Sequence, residues 1–185
     1  MLFFRWIALA ISSGLFTGFV GSLVGKPGKA GGTAGSVVVL IIQLWLLSAG
    51  LGVHVSLMLC SFFVGWIVCG PGERLMLELW GPRKRHTGEE VIGDFNETCV
   101  DEVHGQFLAA LPLWIWNDWP LGRIPWLLVA FVIFRICDAK KPWPVNVIEQ
   151  RFKGTTFGIM IDDTIAALLP VIILVITHFT YRLLR

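Results

Sequence analysis

Residues 157–181 read FGIMIDDTIAALLPVIILVITHFTY. Within this run the ionisable groups of Asp, Glu, Lys, Arg or His type are Asp162, Asp163 and His178. About 20 apolar residues cross the hydrocarbon core of a bilayer, so the run predicts a membrane helix near the end of the chain. The adjacent carboxylates inside it say more. Buried charge is costly unless a partner offsets it, and ionisable groups inside membrane segments mark function by default. The rest of the sequence has to supply that partner.

Composition agrees with a membrane protein. Of 185 residues, 55% are hydrophobic and 15% charged, with a mean hydropathy of +0.72; a soluble domain carries about 45–50% apolar and about 25% charged residues. Intrinsic disorder is excluded by the same figures. The net charge of +2 provides no basic field for nucleic acid. Cys60, Cys69, Cys99 and Cys137 lie far apart without a CxxC pair, which argues for free thiols over a zinc site or a disulfide framework. The length predicts one domain over residues 1–185.

Working outward, residues 6–25 form an apolar run as long as a span. A signal peptide is the competing reading, but no small-x-small cleavage site follows. Gly14 and Gly18, then Gly21 and Gly25, are spaced to admit a neighbouring helix, or else they break this one. Residues 26–36, KPGKAGGTAGS, read as a glycine-rich loop. Residues 37–70 hold His54 as their single ionisable group of these types and read as two spans turning near Ser48–His54, with Pro71 and Gly72 ending the second. Residues 71–104 are polar, and Asp94 with Glu97 could form a capping box. Residues 103–137 read as a hairpin with a short first arm, broken near Asn117–Pro120, where Trp114, Trp116, Trp119 and Trp126 suit a membrane–water interface. Residues 138–156 are polar and turn-rich. The expected fold is all-α, a polytopic membrane bundle of about five or six helices. This count places the polar segments on one side and both termini on the other. The polar side holds Lys26, Lys29, Arg74, Arg83, Lys84, Arg85, Lys140, Lys141, Arg151 and Lys153 against Arg5, Arg123, Arg182 and Arg185. The positive-inside rule makes it cytoplasmic.

The charges gathered at that face carry the chemistry. Asp101-Glu102 open the short arm, Arg135 and Asp138 share a helix face at the end of a span, and Lys141 precedes Pro142. Asp162-Asp163 lie in the last helix, and Thr33 and Ser36 lie in the glycine loop on the same side. Several carboxylates are partnered most cheaply by a divalent cation, and an oxygen-only ligand set suits Mg²⁺, which bridges to phosphate. Arg135 and Lys141 would then meet phosphate oxygens. Blander readings stand beside each group. Asp101-Glu102 could be a solvated helix start, Arg135–Asp138 a structural ion pair, and the glycine loop merely a loop. His104 near the acids is not diagnostic, and His54 and His178 read as packing or interface residues.

Three motifs stand in order: VDEVHG at 100–105, FRICDAKKPWP at 134–144 and GIMIDDTIAAL at 158–168. They resemble the pattern DExxG, FRxxDxxKPxP, GIMxDD of the phosphatidylglycerophosphatase A family of bacterial inner-membrane lipid phosphatases, most strongly over residues 94–175. GTAGS at 32–36 resembles the family's PGTxGS. The resemblance implies a Mg²⁺-dependent phosphatase that converts phosphatidylglycerophosphate to phosphatidylglycerol at the cytoplasmic face of the inner membrane. It maps the family's acids onto Asp101, Glu102, Asp138, Asp162 and Asp163 as metal ligands. It maps the basic residues onto Arg135 and Lys141, and the loop residues onto Thr33, Gly35 and Ser36, all toward substrate phosphate. Glu102, Asp138, Asp162 and Asp163 are the expected catalytic acids, with Glu102 as base; water or an aspartate can be the nucleophile. The chain departs from the pattern at Gly31, where the family has proline, at Gly154–Phe157 before GIM, and at Ala166-Ala167 after the twin acids.

Rival phosphatase chemistries lack their motifs. Cys69 and Arg74 are one residue too close for Cys-x5-Arg, and neither DxDx[TV] nor a PSGH-type motif occurs. The non-enzyme alternatives are an ion- or proton-coupled transporter, for which internal repeats are missing, and a membrane scaffold, which has no use for twin acids in an apolar helix.

Overall fold

The computed structural model describes residues 2–15, 17–19, 31–84, 90–91, 97–152 and 154–185. Its helices are α1 (Leu2–Ser12), α2 (Gly31–Trp45, continued by a 3₁₀ turn at Leu46–Ser48), α3 (Leu51–Trp80), α4 (Val100–Ala109), α5 (Pro112–Ile115), α6 (Arg123–Lys140), α7 (Val145–Phe152) and α8 (Thr156–Leu183). Beyond them, a two-residue antiparallel ladder pairs Arg83–Lys84 with Glu90–Val91. Among the described residues, α3 and α8 are the helices long and apolar enough to cross a membrane.

α8 is the central element and touches α3, α4, α6 and α7. Thr155 caps it, its hydroxyl accepting from the Gly158 amide at 2.9 Å. Ala166 and Ala167 are buried in a cluster with Ala109, Phe134, Cys137 and Val145. These small side chains let α4 and α6 approach, so the departure from the family pattern at 166–167 falls in close-packed core. The expected turn within the 37–70 run falls at Ala49–Gly50. The four tryptophans do cluster at the break, Trp114 and Trp119 buried and Trp116 and Trp126 against them. His178 stacks on Trp116 at 4.5 Å and His54 on Trp114 at 3.9 Å, which makes both histidines packing residues.

Several expectations are corrected. The run 6–25 is not one span, for α1 stops at Ser12. Ser12 and Ser13 turn their hydroxyls back onto the Leu9 carbonyl, and Gly14 and Leu15 both adopt φ +55°, a left-handed step that a helix cannot continue. Gly14 thus breaks the helix, while Gly21 and Gly25 lie outside the described residues. α1 folds back along the second half of α3: Leu9 buries with Leu75 and Met76, and Arg5 meets Glu78 at 2.6 Å. That contact with α1 also explains why Pro71 and Gly72 do not end α3, which runs on to Trp80 and is about 45 Å long at 1.5 Å per residue. The start of α1 therefore lies at the same end of the bundle as the second half of α3, not opposite the polar segments.

Residues 31–36 are the first turns of α2 and not a loop; residues 26–30 lie outside the described residues. Asp94 of the expected capping box does too, and α4 begins at Val100 after Cys99, whose amide donates to the Ser12 carbonyl at 2.9 Å. The short arm is two pieces, α4 and α5. Together they run from Asp101 to Trp114, whose indole donates to the Leu46 carbonyl, and on to Trp116 against His178.

Close approach of α4 to α6 rests on Gly105. A Cβ there would stand 2.4 Å from Phe134 Cζ. Gly105→Ala should therefore overpack this contact and destabilise the fold by about 1–3 kcal/mol. Thermal unfolding in detergent would show a lower midpoint, and Phe134→Leu in the same chain should recover part of it.

Candidate active site

Four helix ends converge. α4 brings Asp101 and Glu102 in its first turn, where the positive end of the helix dipole favours carboxylates. α8 brings Asp162 and Asp163 about two turns in from its start. α6 brings Arg135, Asp138 and Lys141 at its finish, and α2 brings Thr33 and Ser36 at its beginning.

Asp101, Glu102 and Asp163 each offer a carboxylate oxygen, and these oxygens all lie within 4.8 Å of one another. Glu102 Oε2 and Asp163 Oδ2 are buried with no hydrogen-bond partner among the described residues. Three crowded carboxylates, two of them with an orphaned buried oxygen, fit a hard divalent cation.

The two remaining acids are held by bases. Arg135 Nη1 stands 2.8 Å from Asp138 Oδ2 and 3.8 Å from Glu102 Oε1. The same guanidinium donates to Ser36 Oγ and Thr33 Oγ1, both at 3.3 Å, and so ties α2 to α6. Lys141 Nζ lies 2.7 Å from Asp162 Oδ2 and 2.9 Å from Glu149 Oε1 of α7. Burial opposes the charge on Lys141, but the two carboxylates outweigh it and hold the ammonium above the usual lysine range. Lys141 itself is the left-handed cap of α6, with φ +43° and its amide bonded to the Cys137 carbonyl at 2.8 Å.

The structure thus gathers Asp101, Glu102, Asp138, Asp162, Asp163, Arg135, Lys141, Thr33 and Ser36 at one end of the bundle. It divides the acids into a cluster of three and two that are ion-paired. Gly35 has a different place. A Cβ on it would stand 2.9 Å from Cys99 Cβ, so it is where α2 meets the start of α4 and not part of the hydroxyl face. His104 Nδ1 lies 3.0 Å from the Met58 carbonyl, a contact between α4 and α3. Glu149 is the site residue that the sequence reading missed. It lies in a polar stretch where any acid looks solvated; its signal was its place on a short helix just beyond Lys141.

The family profile described as phosphatidylglycerophosphatase A matches residues 7–178. This is wider than the motif region and takes in α2 and α3. A phosphatidylglycerophosphatase A of Haemophilus influenzae is 33% identical over 148 residues, covering 78% of this chain and 76% of the relative. Its counterpart of Escherichia coli is 39% identical over 80 residues, covering 42% of this chain and 41% of the relative. No solved structure matches the fold. By sequence, then, and with the acids and bases of its motifs drawn together at one end of the bundle, the chain belongs to the phosphatidylglycerophosphatase A family.

Proposed function

We propose that this enzyme is a membrane-embedded, Mg²⁺-dependent lipid phosphatase that hydrolyses phosphatidylglycerophosphate to phosphatidylglycerol and phosphate. Family membership makes it a phosphatidylglycerophosphatase and sets aside the transporter and scaffold readings. The observation that carries the finer reading is the cluster of Asp101, Glu102 and Asp163, with its two orphaned oxygens, beside an Arg135 that reaches Thr33 and Ser36.

Asp101, Glu102 and Asp163 would hold the metal, with Asp138 and Asp162 bordering them. Mg²⁺ bound there supplies Lewis acidity to the phosphoryl group. The chain supplies the rest. The Arg135 guanidinium and the hydroxyls of Thr33 and Ser36, at the amino end of α2, make a cradle for phosphate oxygens. Lys141 adds a second positive charge for the oxygens that gain charge as the ester bond breaks. Water attacks phosphorus while Glu102 accepts its proton at a carboxylate oxygen; the P–O bond to glycerol breaks, and Glu102 passes that proton to the departing glycerol oxygen, which leaves as the alcohol.

We further propose that α2, α3, the α4–α5 arm, α6 and α8 cross the inner membrane with the acid end facing the cytoplasm. Arg5, now at the acid end beside Glu78, adds to the positive bias of that end. The diacylglycerol part of the substrate then stays in the bilayer while its headgroup reaches the acids. Protein purified in detergent should release inorganic phosphate from phosphatidylglycerophosphate when Mg²⁺ is present and stop on chelation. No release above background from that substrate would sink this reading.

A further inference from the structure

We infer that Glu149 is a positioning residue. By sharing the Lys141 ammonium with Asp162, it leaves negative charge on Asp162 to support the cation site. This inference rests on the Mg²⁺-dependent reading above.

Lys141 Nζ stands between two carboxylates, at 2.7 Å from Asp162 Oδ2 and 2.9 Å from Glu149 Oε1, with Asp162 buried and the Lys141 and Glu149 side chains each 26% exposed. An ammonium carries one positive charge and three donors. One ammonium and two carboxylates sum to one net negative charge. Without the Glu149 charge, Lys141 and Asp162 would close into a neutral pair. Asp162 is next to Asp163 in the chain, and its Oδ1 already accepts the Asp163 amide at 3.0 Å. A carboxylate neutralised there would lower the negative potential at the neighbouring cluster of Asp101, Glu102 and Asp163.

The geometry also fixes where the lysine can go. Its backbone is pinned as the cap of α6, and α7, which carries Glu149, lies against α8, which carries Asp162. The ammonium is therefore held between α7 and α8 on a short tether from α6. A glutamine at 149 keeps the shape and loses the charge. An aspartate keeps the charge on a shorter arm.

The test measures Mg²⁺ affinity in two ways on the full chain in detergent. One is the Mg²⁺ concentration for half-maximal phosphate release. The other is direct Mn²⁺ binding, followed by electron paramagnetic resonance without substrate. Glu149→Gln should raise both midpoints about tenfold, equivalent to about 1.4 kcal/mol, and Glu149→Asp should recover most of the loss. If wild type responds to the cation and Glu149→Gln matches it in both assays, the inference is overturned, even where the variant melts at a lower temperature. If wild type neither binds Mn²⁺ nor needs Mg²⁺, the underlying reading falls instead.

Discussion

Asp163→Asn should reduce phosphate release by at least about 10³-fold, a loss of about 4 kcal/mol of transition-state stabilisation. Asparagine fills the same volume, so the side chain keeps its place on α8. What goes is one of three negative charges whose oxygens lie within 4.8 Å of one another. Asp163 is the most deeply buried of the three, 3% exposed, and its Oδ2 has no protein partner among the described residues. A residue kept for stability alone behaves differently from one that waits for a cation. Removing a buried, like-charged carboxylate relieves desolvation and repulsion. The metal-free variant should therefore melt at or above the wild-type temperature. Wild type should gain stability on adding Mg²⁺, by about 2.7 kcal/mol at a hundred times its Kd, and the variant should lose most of that gain. A variant that melts well below metal-free wild type, yet still responds to Mg²⁺, would assign Asp163 to the core and not to the cation.

How far such a residue can be read from sequence depends on whether its signal is local. The twin acids were legible because charge inside an apolar run is costly wherever it occurs. Their sorting was not. Asp162 and Asp163 are neighbours in the chain, but one faces Lys141 and the other faces Asp101 and Glu102, and only the angle at which α8 meets α4 and α6 decides this. The first apolar run misled for a similar reason. Hydropathy over 6–25 matches a span, while the left-handed turn at Gly14 and Leu15 is invisible to it. Pro71 reads as a helix stop in isolation, yet burial of Leu75 and Met76 against Leu9 outweighs that local preference. The glycines of 31–35 suggest a loop by propensity, which costs about 1 kcal/mol per glycine in a helix. The structure has a use for one of them at least, since Gly35 lets α2 reach Cys99. The four tryptophans were legible because they gather at one break in the chain, where local order and tertiary contact coincide.

Arg135 should prove as sensitive as Asp163, and for a different reason. Arg135→Ala should lower kcat/KM by about 10³-fold and Arg135→Lys by about 10²-fold, with lysine a poor substitute although it keeps the charge. The guanidinium makes four contacts in separate directions: to Asp138, to Glu102, and to the hydroxyls of Ser36 and Thr33. A planar fork can serve several partners at fixed angles; an ammonium is a point charge on a shorter reach. Lysine should still neutralise Asp138, so Arg135→Lys should keep most of the thermal stability that Arg135→Ala loses, about 1–3 kcal/mol for an unpaired, largely buried carboxylate. The kinetic split then separates the roles of this one side chain. If the guanidinium only held α2 against α6, lysine would restore turnover in proportion to the stability it restores. If it also meets the phosphoryl oxygens, Arg135→Lys should be stable and slow. Thr33→Ala and Ser36→Ala, which remove single hydroxyls from the cradle, should each cost much less than Arg135→Lys, because the fork that meets the oxygens remains. Equal losses from the hydroxyl and guanidinium variants would instead mean that the cradle works through the position of α2, and the charge would not be what binds the phosphate.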